Sequence, residues 1–253
     1  MPAPSILAVY AHPDDESLVA GGILAKHAAA GARTAVVTAT WAADSHRAAE
    51  LADALTHLGA GAPHMLGYAD LHVPDSAPGR PPFRDAPLDE TVERLVAHVR
   101  DFRPDLIVTH DAHGSSGHPD HIHTHRVTLL AAHAAGLPTA HPEAGPPWQP
   151  SALYFSAHPD AASSGLAGLF SGVGKRLYTV PDETVTTAVD VRPWMDRKWA
   201  AIRAHRSETA RSRSLPALLS GLSASERDAV LGTEYFIRRD LLSAHRGHRE
   251  LST

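Results

Sequence analysis

Short apolar, β-favouring runs alternate along the chain with longer segments whose apolar residues recur at helical spacing. Strands are predicted over Ile6 to Tyr10, Thr34 to Thr40, Met65 to Gly67 and Leu106 to His110, all four apolar enough to be buried on both faces, and later over Leu153 to Ser156 and Val185 to Val191. Between them, Ser17 to Ala30, Arg47 to Leu58, Leu88 to Phe102 and Pro119 to Ala135 read as helices. Gly31 and Gly59 stand at the expected C-caps, and Pro104 closes the third helix. Strand, helix, strand in repetition predicts an α/β fold: a Rossmann-like, mostly parallel sheet with crossover helices on both faces. Gly136 to Pro150 holds five prolines and is read as a loop within one domain spanning 1–253.

Composition narrows the chemistry. With 43% hydrophobic and 20% charged residues the chain is an ordinary ordered globular protein. A net charge of -5 without a basic stripe argues against nucleic acid or an anionic membrane as the main partner, so a small molecule is expected. There is no cysteine, which excludes disulfides, thiolate metal sites and thiol nucleophiles and leaves His and carboxylates as metal ligands. No run approaches the length of a membrane span, and Met1 to Ser5 lacks the basic-then-apolar pattern of a leader, so a cytoplasmic protein is expected.

Two polar clusters interrupt the pattern, each at the carboxyl end of a predicted strand, where open parallel sheets bind ligands. The first is Ala11-His12-Pro13-Asp14-Asp15-Glu16. Acidic residues also suit a helix N-terminus, and an isolated Asp-Asp-Glu is explained by that alone. Beside His12, however, the crowded carboxylates favour a divalent cation that takes one as a ligand and leaves the other as a base. The second is His118-Pro119-Asp120-His121, followed by His123 and His125, with Pro119 suited to a first helical turn and His118 to its N-cap. Together the clusters offer the three N/O ligands of an open catalytic zinc site. His121 and His125, four apart on one helix face, are an alternative zinc pair. His27, His57, His98 and His133 lie inside predicted helices and are expected to be ordinary solvated or packed histidines. Ala157-His158-Pro159-Asp160 repeats the opening of the first cluster without its second Asp and its Glu, and is read as coincidence.

The AHPDDE and HPDH segments resemble the hallmarks of the PIG-L/LmbE-like deacetylases, and Gly117 to His125 is similar to the branch that includes mycothiol deacetylase and mycothiol S-conjugate amidase. His46 to Leu51, Asp75-Ser76 and Ala204 to Ser207 extend the likeness over nearly the whole chain. The resemblance implies that His12, Asp15 and His121 hold Zn2+ (or Fe2+), that Asp14 is the general base, and that His118 stabilises the oxyanion. Asp120 would orient His118 and keep it cationic, and Arg47 and Asp75 would bind sugar hydroxyls. It implies metal-dependent removal of acetyl from an N-acetylated amino sugar. An amidase for a larger amide such as a mycothiol S-conjugate and a non-catalytic metal- or nucleotide-binding module are the alternatives. Two residues depart from the branch: Ser116 stands where it has tyrosine, and Glu208 where it has glutamine.

Overall fold

The computed structural model describes residues 3–242. The leader expectation therefore falls partly on Met1 and Pro2, outside the described residues. The first half alternates β1 (Ile6–Tyr10), α1 (Asp15–Val19), α2 (Gly21–Ala29), β2 (Thr34–Thr40), α3 (His46–Leu58) and β3 (His64–Tyr68). It continues through α4 (Leu88–Phe102), β4 (Leu106–His110), a short kinked turn α5 (Gly114–Gly117) and α6 (Pro119–Ala134). The second half holds β5 (Ala152–Ala157), α7 (Ser164–Gly172), β6 (Thr187–Asp190), α8 (Met195–Ala204), α9 (Arg206–Thr209), α10 (Leu215–Ser220), α11 (Ala224–Leu231) and β7 (Thr233–Asp240).

These strands form one seven-stranded sheet in the order β3-β2-β1-β4-β5-β7-β6. The pairings among β1 to β5 are parallel, and β7 runs antiparallel to both β5 and β6. Alternate residues of β1 explain the layering. Leu7 and Val9 join Ile107 and Leu153 beneath α4 and α6, where Leu95, Val99, Val127 and Ala131 meet them. Ile6, Ala8 and Tyr10 face the other way, with Val36 and Val108, onto Leu24 of α2, Leu51 and Leu55 of α3 and Ala201 of α8. A strand apolar on both faces has to be covered on both, which the crossover helices do.

Three predictions change. The first helix is two: α1 stops at Ala20, and α2 starts afresh because Glu234, from β7, accepts the N–H groups of Gly22 (2.7 Å) and Ile23 (2.9 Å). That cap comes from the far end of the chain and has no local signal. β3 is only partly buried, because it is the sheet's edge. β7, unpredicted, is the antiparallel strand between β5 and β6. The expected caps hold at Gly59, which closes α3 at φ 74°, and at His118, the N-cap of α6; Ser45, which the sequence did not mark, caps the start of α3 by accepting the Ala48 N–H. Among the described residues no helix is long and apolar enough to cross a membrane.

Candidate metal centre and active site

Strand order reverses between β1 and β4, so their carboxyl ends flank the crevice in which such sheets bind ligands. The chain leaving β1 carries His12, Asp14 and Asp15; β4 ends on His110, and α6 brings His118, Asp120 and His121 across the same opening. Gly114, at φ 61°, lets the loop after β4 close on α6: an added Cβ would stand 2.9 Å from that of His121.

Three donor atoms converge there. Nδ1 of His12 is 3.1 Å from Nε2 of His121 and 3.5 Å from Oδ2 of Asp15, and the latter two atoms are 3.4 Å apart. These separations match the edge of a tetrahedron with arms of 2.0–2.1 Å, about 3.3 Å, as imidazole and carboxylate ligands of zinc require. Burial raises the Asp15 carboxyl, but His121 and His110 outweigh it and hold it well below the usual carboxylate range. Burial pushes the His121 imidazole well down, against the pull of Asp15. Two imidazole nitrogens and a carboxylate oxygen at these separations are a donor set that a divalent cation takes up, so these residues fit the implied metal. His125, the alternative partner of His121, lies elsewhere, with its Nδ1 2.9 Å from the carbonyl of His110.

His110, which the sequence did not mark, completes this wall. Its Nε2 is 3.3 Å from Oδ2 of Asp15, and its ring stacks on His121 with centroids 3.9 Å apart and planes 10° from parallel. Nδ1 of His121 is buried without a hydrogen-bond partner, so the stack fixes that ring. The available signal was His110's place as the last residue of a buried strand pointing at the crevice.

Asp14 sits at φ 136°, a conformation that side-chain-bearing residues rarely adopt. It is held there by Glu16, which is fully buried and accepts the Asp14 N–H at 3.0 Å. The other oxygen of Glu16 takes the hydroxyl of Ser17 and lies 2.9 Å from Nε2 of His205. Burial opposes charge on His205, yet the Glu16 carboxylate raises its pKa overall. Burial also pushes the Asp14 carboxyl up to about 7, against the pull of Arg47 at 3.3 Å.

The guanidinium of Arg47 is buried and bonds the carbonyl of Pro13 and the carboxylate of Glu208. Arg47 also lines the cavity, and within the chain it holds the Asp14 segment. Glu208 pairs both Arg47 and, at 2.7 Å, Arg211.

Asp120 meets two histidines of the site. Its carboxylate accepts the N–H groups of Leu71 (3.0 Å) and Arg84 (3.1 Å), and Oδ2 lies 3.3 Å from Nε2 of His12. The side chain thus serves His12, and the contact of Asp120 with His118 is made by its backbone. The N-cap geometry turns Nδ1 of His118 toward the Asp120 backbone N–H, which it accepts at 3.2 Å, leaving Nε2 to carry the proton. Burial, then the neighbouring His12, pushes the His118 imidazole down to about 4, which favours a neutral N–H donor over the cation that the resemblance implies.

The cluster opens into a cavity of about 680 Å³, within the range of small-molecule sites. Asp75 is exposed on a surface turn and does not line it; Asp70 does, 3.5 Å from Nε2 of His12. A single aspartate in a polar loop gave no sign of this. Ser116 lines the cavity where a tyrosine was expected, while Tyr235 lines it from β7. His158 lines it too, so the echo motif ends β5 as AHPDDE follows β1, although its ring is not one of the donors grouped above.

The comparisons agree with this architecture. Residues 7–132 match the family model PIG-L, described as GlcNAc-PI de-N-acetylase. A Rhodococcus erythropolis protein named 1D-myo-inositol 2-acetamido-2-deoxy-alpha-D-glucopyranoside deacetylase is 34% identical, over 93% of this chain and 90% of its own. In structure, N,N'-diacetylchitobiose deacetylase from Pyrococcus horikoshii superposes with a TM-score of 0.64 at 20% identity, covering 94% of this chain and 84% of its own. GalB, a 4-carboxy-2-hydroxymuconate hydratase from Pseudomonas putida, reaches 0.58 at 20% identity, covering 98% and 100%. A hydratase on the same fold means that fold alone does not decide the reaction; the sequence match over nearly the whole chain places it more narrowly. The chain belongs to the PIG-L family, and the Rhodococcus relative is named as an amide-hydrolysing deacetylase.

Proposed function

We propose that this protein is a zinc-dependent deacetylase that removes the acetyl group from an N-acetylglucosaminyl compound. The observation that carries the reading is the set of donor separations, 3.1 to 3.5 Å, among His12, Asp15 and His121. These three residues would hold the ion. When bound, it polarises the amide carbonyl and makes water easier to deprotonate. The name of the Rhodococcus relative supports the substrate class.

The chain's own groups supply the remaining chemistry. Asp14, ionised, removes a proton from the attacking water while the water oxygen bonds to the carbonyl carbon. The carbonyl oxygen takes up negative charge, and His118 donates its Nε2–H to it. As the C–N bond breaks, Asp14 returns the proton to the nitrogen, and acetate and a free amine result. Arg47 and Glu16 fix where the Asp14 carboxylate stands, and Asp120 fixes the His12 ring. Acetate release from glycosides of N-acetylglucosamine, measured with bound metal counted, tests the reading; a protein that holds metal and releases no acetate contradicts it.

A further inference from the structure

Beyond the metal cluster, the cavity has a mouth of a different character. Lys175 and Arg176, on the stretch after α7, and Arg211 and Arg213, on the turn after α9, all line it and are exposed, in a chain whose net charge is -5. The carboxylates lining the same cavity are engaged: Asp14 with Arg47, Asp15 with the histidines, Asp70 with His12, Glu208 with Arg47 and Arg211, and Glu234 with Lys198 at 2.7 Å. Among the described residues, Lys175, Arg176 and Arg213 make no ion pair with a carboxylate.

The cationic rim is tied to the reacting groups on both sides. Arg176 lies over the ring of Tyr178, 4.9 Å to its centroid, and an added Cβ on Gly117, the residue before His118, would stand 3.0 Å from that ring. Arg211 reaches Asp14 through Glu208 and Arg47. Arg213 joins the two stretches by donating to the Val173 carbonyl at 2.5 Å. Leu166, Phe170 and Leu215 form an apolar wall in the same cavity, and apolar walls strengthen the attraction between rim and ligand charge by lowering the local dielectric.

We infer that the substrate carries an anionic group on its aglycone, a phosphate or a carboxylate, which Lys175, Arg176 and Arg213 hold at the mouth while the acetamide reaches the metal cluster. This rests on the deacetylase reading, and departs from the uncharged inositol glycoside in the relatives' name.

The test compares acetate release from the methyl glycoside of N-acetylglucosamine, its anomeric phosphate, and a glycoside ending in a carboxylate. In the metal-loaded wild type, kcat/KM for one or both anionic substrates should exceed that for the methyl glycoside by about tenfold or more, and the advantage should shrink as salt rises. Which anion gains more identifies its chemistry. In Lys175→Ala/Arg176→Ala, which leaves the Arg213 contact intact, the ratio should fall toward one, mainly through KM. Equal kcat/KM for neutral and anionic substrates, or a preference that survives in the variant, overturns the inference and leaves the deacetylase reading standing. If no substrate releases acetate, the deacetylase reading fails, and calorimetry with the sugar phosphate decides the rim separately: equal Kd in wild type and variant overturns it.

Discussion

Oδ2 of Asp120 stands 3.3 Å from Nε2 of His12, while Nδ1 of the same ring stands 3.1 Å from His121 and 3.5 Å from Asp15. One imidazole thus bridges a carboxylate that fixes its tautomer and the donor set that would hold an ion, an arrangement characteristic of metal-binding histidines. Asp120→Ala should therefore lower metal affinity by roughly 10- to 100-fold. Titration with a competing chelator measures it. Unchanged affinity with lost activity would return Asp120 to a role on His118.

Glu16 holds the backbone of Asp14 in its unfavourable conformation and pairs with His205, all in full burial. Glu16→Gln keeps the shape and removes the charge, which should cost about 1–3 kcal/mol in urea unfolding. Turnover should fall because Asp14 is misplaced, with metal content retained. A variant as stable and active as wild type would show that the strain at Asp14 is held by other contacts.

Asp14 must be ionised to take a proton. Its burial raises the carboxyl to about 7 in the metal-free protein, and a cation on Asp15 draws it back toward its ordinary value of 3.8. The acid limb of kcat/KM should lie between those two values, and substituting Asp14 should remove it. A limb that persists in Asp14→Asn would belong to another group.

His158 has its pKa pushed down from 6.5 to about 4 by burial. Between those values the unfolded chain binds a proton there and the folded chain does not, so stability falls as pH drops through this window. Below about 4 both states are protonated and the loss levels off. Urea midpoints of wild type and His158→Gln across the range check it: the variant should show the shallower dependence.

The sheet was legible because β1, β2 and β4 are built almost entirely of apolar and β-branched residues and are punctuated by helices of clear period. The two motifs were legible because each stands where such a strand ends. Long-range contacts were not. The break at Ala20 depends on Glu234, the role of Asp120 on a ring 108 residues away, and Arg47 on Pro13 and Glu208. Each is a polar residue satisfied by a partner distant in the chain, and nothing in its local pattern distinguishes it from a surface residue. Asp75 and Asp70 illustrate the converse: both lie in one polar loop, and only the path of the chain decides which reaches the cavity.

The most direct test is acetate release from N-acetylglucosamine glycosides by metal-reconstituted wild type and Asp14→Asn, with bound metal counted in both. Asparagine tolerates positive φ as aspartate does, so the backbone should stay in place. The account predicts stoichiometric metal in both proteins and turnover reduced by roughly 10²- to 10⁴-fold in the variant. Full activity in Asp14→Asn, or no stoichiometric metal in the wild type, would contradict it.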